Sequence, residues 1–135
     1  MEENAVHFIL GGRSQGKKEY ALSLKDDNSF KVLDLAEEDN SIYDCNDFDI
    51  IINLHEWVKH TLKRKEEPLR IIKDMVLLFN EKIITGDEIG CGIVPIDSFE
   101  RLWRDETGRV YQFICKNADI VDRVFAGIPV RIKGK

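Results

Sequence analysis

The sequence predicts an α/β sandwich around a mostly parallel sheet. Short apolar runs at residues 5–10 (AVHFIL), 31–35 (KVLDL), 48–53 (FDIIIN) and 81–86 (EKIITG) have the length and near-continuous hydrophobicity of buried strands. Between them lie stretches whose apolar residues recur at helical spacing. The first run closes on Gly11-Gly12 and passes straight into a helical pattern, as a parallel crossover unit requires.

Each element follows from its residues. KKEYALSLKDD carries Tyr20, Ala21 and Leu24 at helical spacing, and FDIIIN is β-branched like a central strand. Residues 36–47 form a polar, acidic connection without a clear period. Residues 54–67 place Leu54, Trp57, Val58 and Leu62 on one helical face. Pro68 opens a further helix with Leu69, Ile72, Met75, Val76 and Phe79 inward. A long helix begins at a capping box, Asp97 with Glu100, and carries Phe99, Leu102, Trp103, Val110, Phe113 and Ile114 as its stripe. The end of the chain reads as two short strands joined at Gly127-Ile128-Pro129.

Composition narrows the function. The 135 residues suit one domain with a single core, with 33% charged and 43% hydrophobic residues. A net charge of −5 argues against wholesale binding to nucleic acid. No apolar run is long enough for a membrane span, and MEENAVHFIL lacks a basic-then-apolar leader pattern. Three widely spaced cysteines argue against a disulfide framework and for a reducing, cytoplasmic setting.

The chemistry concentrates in GGRSQGKK, residues 11–18, which has the spacing of a phosphate-binding loop. Backbone N–H groups of Gly11, Gly12, Arg13, Ser14, Gln15, Gly16, Lys17 and Lys18 would cradle phosphates at the positive end of the next helix, and Lys17 would reach the β- and γ-phosphates. Lys18 stands where such loops carry the Ser or Thr that helps hold Mg²⁺, so any metal needs another ligand. IITGDE offers one: a hydrophobic strand ending in Asp87-Glu88, at the same sheet edge if this strand lies beside the first. A plain solvated turn is the alternative there. HEWVKH is no zinc-protease site, because His55 and His60 are five apart and so about 140° apart around a helix. His55 sits where the third strand ends and could face a nucleotide or simply cap a helix; His7 reads as structural. KHTLKRK reads as a solvated helix face, and Cys91, between two glycines, as a buried small residue.

The C-terminal third, DEIGCGIVPIDSFERLWRDETGRVYQFICKNADIVDRVFAGIPVRIK, closely resembles the bifunctional adenosylcobinamide kinase / adenosylcobinamide-phosphate guanylyltransferases of cobalamin biosynthesis. The matching positions are Glu88, Gly90, Gly92, Ile93, Val94, Pro95, Arg104, Asp105, Gly108, Arg109, Gln112, Ala126, Gly127 and Pro129, and the family's opening glycine loop lines up with residues 11–18.

The resemblance implies a P-loop fold related to RecA, a three-layer sandwich making residues 1–135 one nucleotide-binding domain. It implies phosphorylation of adenosylcobinamide by GTP or ATP with Mg²⁺, then GMP transfer through a guanylylated histidine, in a homo-oligomer. Candidate substrate contacts are Gly90, Gly92, Pro95, Arg101, Arg104 and Gln112. The chain also departs from the family. Residues 36–49 contain no His, Arg or Pro, so the family's histidine segment has no counterpart. Ile52-Asn53 stands where an acid is expected, and Asp87 replaces the motif's Asn. Asp87 with Glu88 is therefore the expected metal site and, with Lys17, the expected catalytic set; His55 is the one histidine near enough to replace the nucleophile. A degenerate relative that binds nucleotide or corrinoid without turnover, as a regulatory protein, is the alternative reading.

Overall fold

The computed structural model describes residues 6–25, 30–76, 79–89 and 97–135. Its strands are β1 (Val6–Gly11), β2 (Val32–Asp34), β3 (Ile50–Ile52), β4 (Lys82–Asp87), β5 (Ile120–Phe125) and β6 (Ile128–Lys133). The helices are α1 (Lys17–Ser23), α2 (Leu54–Lys63), α3 (Pro68–Val76) and α4 (Ser98–Asn117), with a short 3-10 helix at Ile42–Asp47. Among the described residues the strands form one sheet in the order β2-β3-β4-β1-β5-β6. All neighbours run parallel except β6, which returns antiparallel on β5. The expected α/β sandwich with a mostly parallel sheet is the fold observed.

Alternation along β1 divides the core into two layers. Val6 and Phe8 pack with Leu54, Trp57, Val58, Ile72, Val110 and Ile114 beneath α2, α3 and α4. Ile9 faces the other way, with Ala21 of α1, Ile50, Ile52, Ile83 and Val124. The three isoleucines of β3 are buried because this strand is covered on both faces. His7 belongs to the α1 layer, where its Nε2 meets Asp122 Oδ2 at 2.6 Å. Tyr20 Oη donates to the same oxygen at 2.7 Å, and Arg131 Nε donates to Oδ1 at 2.5 Å. Burial by itself would raise the Asp122 carboxyl, but the hydrogen bonds from Tyr20, Arg131 and His7 outweigh it and hold the group below its ordinary range. The structural reading of His7 thus gains its partner.

Several expectations need correcting. The connection after β2 contains the 3-10 helix, capped by Ser41 Oγ accepting from Tyr43 N at 3.1 Å, which tucks Ile42 and Cys45 into the core. Leu24 is 38% exposed because α1 ends at Ser23, so the helical period no longer applies to it. Leu102 is 45% exposed, and Thr107 and Tyr111 complete the buried stripe of α4 instead. The turn between the last strands is Ala126-Gly127, both at positive φ (51° and 79°), and Ile128 and Pro129 already belong to β6. At the head of α4 the expected cap is present, with Asp97 Oδ1 accepting from Phe99 N at 2.7 Å.

Phe8 is fully buried and meets Tyr111 edge-to-face at 5.1 Å between ring centroids. Phe8→Ala should lower stability by about 3–5 kcal/mol, read as a shift in the urea midpoint at unchanged slope.

Candidate functional site

Parallel pairing aligns the carboxyl ends of β2, β3, β4 and β1, and the register sets Gly11 directly beside Asp87. A cleft of about 710 Å³ opens at that edge. The loop after β1 supplies Arg13, Ser14, Gln15, Gly16, Lys17 and Lys18 to one wall, while Asp34, Asn53, His55, Glu56, Asp87 and Trp103 line the other side. Cations and acids therefore face each other across the opening, where ligands of open parallel sheets bind.

The loop is held from two directions. Gly16 is the residue before α1 and has φ 101°, a conformation natural to glycine. A Cβ there would also come within 3.1 Å of the Gly127 backbone. The β5–β6 turn braces the loop from below: Gly127 N donates to Gln15 O at 2.8 Å and Ala126 N to Gln15 Oε1 at 2.6 Å. Gln15 thus spends its carbonyl and amide oxygens on the turn. Lys17 is buried, and its Nζ lies 2.7 Å from Gly12 O and 2.7 Å from Asp87 Oδ1.

Asp87 is fixed at both ends of its backbone. Its N–H donates to His55 Nδ1 at 3.0 Å, and its carbonyl accepts from Tyr111 Oη at 2.7 Å. Gly86 permits this, since a Cβ there would overlap the Tyr111 hydroxyl. Burial drives the Tyr111 phenol well above its ordinary range, so it serves as a neutral donor. His55 is fixed in turn by Trp103, whose Nε1 donates to the His55 carbonyl at 2.8 Å. Because His55 Nδ1 accepts a hydrogen bond, the neutral ring carries its proton on Nε2. That nitrogen faces Asp87 Oδ2 at 3.3 Å and Glu56 Oε2 at 3.7 Å. Burial lowers the His55 pKa, outweighing the upward pull of the Asp87 and Glu56 carboxylates.

The fold brings Lys17, Asp87 and His55 together as contacting groups, and Glu88 shares the cleft. Glu88 turns to a different partner, accepting from Arg123 Nε at 2.6 Å and Nη2 at 3.2 Å. The carboxylate that approaches the same imidazole as Asp87 is Glu56. From α4, Trp103 reaches the cleft wall, whereas Arg101, Arg104 and Gln112 are not among its lining residues; Arg109 pairs with Glu106 on the surface. Gly90, Gly92 and Pro95 lie outside the described residues. Reading the sequence overlooks Asp34, Asn53, Glu56 and Tyr111. Asp34 had a signal, an acid at the carboxyl end of a parallel strand, but Tyr111 looks like any apolar-stripe residue.

Among the described residues no three His, Cys, Asp or Glu side chains gather as a metal cluster. Two carboxylates beside open space, Asp87 and Glu56, are the kind of sparse oxygen set that suits Mg²⁺ carried in with phosphates and water. No helix among the described residues is long and apolar enough to cross a membrane.

Residues 35–132 match the family described as Cobinamide kinase / cobinamide phosphate guanyltransferase, a span that contains His55, Asp87, Trp103 and Tyr111 but not the loop of Lys17. The chain is 34% identical over 53 residues to the Bifunctional adenosylcobalamin biosynthesis protein CobP of Pseudomonas aeruginosa, covering 39% of this chain and 31% of that protein.

Linkage at His55 gives a pH prediction. Its folded pKa lies below the ordinary 6.5, so as pH falls below 6.5 the unfolded chain takes up the proton first and stability drops. His55→Asn should remove that component. The wild-type-minus-variant difference in unfolding free energy should then decline by up to about 1.4 kcal/mol per pH unit below 6.5. Urea titrations from neutral to mildly acidic pH would show it, and a pH-independent difference would contradict it.

Proposed function

Because the chain belongs to the cobinamide kinase / cobinamide phosphate guanyltransferase family, we propose that it transfers the γ-phosphoryl group of GTP or ATP to adenosylcobinamide in cobalamin biosynthesis. The observation that carries this reading is Lys17 Nζ, held at 2.7 Å from both the Gly12 carbonyl and Asp87 Oδ1 at the mouth of the cleft. A buried cation on a glycine loop, opposed by an acid from the neighbouring strand, is an arrangement for phosphates.

In this mechanism the loop amides bind the phosphate chain and Lys17 exchanges Asp87 for the β- and γ-phosphates. Asp87, freed of Lys17, would hold Mg²⁺ with Glu56 contributing. The ion supplies charge neutralisation on the phosphoryl oxygens. His55 donates Nε2–H toward Asp87 and keeps that carboxylate oriented, while Trp103 and Tyr111 fix His55 and the Asp87 main chain. Catalysis of this kind is positioning plus electrostatics.

The same geometry favours the kinase half of the family's chemistry. A guanylylated histidine needs a free ring lone pair, and the His55 Nδ1 lone pair accepts the Asp87 N–H. His55 therefore serves better as a positioning residue than as the nucleophile.

Purified protein incubated with adenosylcobinamide, Mg²⁺ and GTP or ATP should yield the phosphorylated corrinoid by mass spectrometry. Lys17→Ala should reduce the rate by about 100-fold or more. Nucleotide binding without any product from the wild-type chain would overturn the reading in favour of a non-catalytic relative.

A further inference from the structure

At the far end of the cleft from the glycine loop, Asp34 and Asn53 form a pair that the mechanism above does not use. Asp34 closes β2, two strands and about 10 Å along the sheet edge from Asp87 at the end of β4, and Asn53 follows β3, the strand between them. Asn53 Nδ2 donates to Asp34 Oδ1 at 2.7 Å, and Ala36 N donates to the same oxygen at 2.9 Å. A carboxylate only accepts, so the Asn53 amide must present its nitrogen to Asp34 and keep its own oxygen free. Among the described residues, Asp34 Oδ2 and Asn53 Oδ1 have no hydrogen-bond partner. Both residues line the cleft.

Asn53 holds this position against local preference. It is the N-cap of α2, where an Asn side chain ordinarily accepts from the first-turn amides, yet it makes no capping bond. Its backbone sits at φ 64°, ψ 46°, the left-handed region, which Asn adopts more readily than other non-glycine residues. Its side chain is diverted from the helix to Asp34. The result is two acceptors side by side, facing the cleft, with no donor.

We propose that Asp34 and Asn53 form the subsite that grips the phosphoryl acceptor, taking two N–H or O–H donors from it. This inference rests on the phosphoryl-transfer reading for its direction. Lys17 marks the γ-phosphate end of the nucleotide, and the strand order β1, β4, β3, β2 puts the pair beyond that end, on the acceptor's side. Asp34, about 10 Å from Asp87, is too far to touch the transferred group, and it holds the Asn53 side chain toward itself, so the pair are binding residues that set the acceptor's identity. A large acceptor bearing carboxamide NH₂ groups, such as a corrinoid amide, fits this chemistry. The donor edge of a guanine base shares it and is the competing occupant.

The test compares wild type with Asp34→Ala and Asn53→Gly. Glycine adopts φ 64° without strain, so Asn53→Gly keeps the fold even where Asp34→Ala disturbs the Ala36 turn. Both variants should raise KM for adenosylcobinamide about tenfold or more, with kcat and KM for the nucleotide within about twofold of wild type. Unchanged KM for the corrinoid in Asn53→Gly would overturn the proposal. A selective rise in KM for GTP over ATP would overturn it too, assigning the pair to the guanine base. If wild type makes no product, titration of adenosylcobinamide by its absorbance separates the two ideas. Binding weakened tenfold in Asn53→Gly keeps the subsite while the kinase reading fails, and equal or absent binding ends the subsite as well.

Discussion

The register between β1 and β4 sets the main chain of Gly11 beside that of Asp87, and the remainder of the cleft is assembled around this pairing. Lys17 follows the loop that leaves β1, so the same alignment brings its ammonium to the Asp87 carboxylate. The cation is buried, and without that acid and the Gly12 carbonyl it would lie desolvated and uncompensated. Every other anchor serves Asp87: His55 takes its N–H, Tyr111 its carbonyl, and Gly86 leaves room for the tyrosine.

The opposite side of the loop depends on a second acid, the buried Asp122. Asp122 joins β5 to β1 through His7, to α1 through Tyr20 and to β6 through Arg131. The helix that follows the glycine loop and the hairpin that braces the loop are therefore tied to one carboxylate. This gives a physical role to the terminal Ala-Gly-Ile-Pro run: its turn donates two backbone N–H groups to Gln15, and Gly127 lies where a larger Gly16 would collide. The hairpin is part of the site's foundation, although it lies outside the cleft.

Family membership and geometry contribute different things. The family match spans residues 35–132 and so covers the acid, the imidazole and their supports, while the glycine loop enters through spacing and structure. The imidazole has its acceptor nitrogen occupied by the Asp87 N–H, so His55 braces the main chain at the end of β4. The cleft brings the cations of the glycine loop together with the acids Asp34, Glu56 and Asp87 from the neighbouring strands and α2.

The amino-acid order by itself determined the α/β class, because buried parallel strands announce themselves as apolar runs and covering helices by their period. It pointed to the glycine loop, Lys17 and Asp87 as neighbours at one sheet edge, because those depend on local spacing and on a strand's end. It missed the 3-10 helix at Ile42–Asp47, where two buried residues in a polar stretch give no periodic signal. It could not assign partners, since these join residues far apart in the chain. Glu88 went to Arg123 rather than to Asp87, Glu56 took its place beside His55, and Tyr111 and Asn53 acquired roles that composition does not mark. Only the tertiary structure decided these, because strand order and register, not sequence neighbourhood, choose which side chains share the sheet edge.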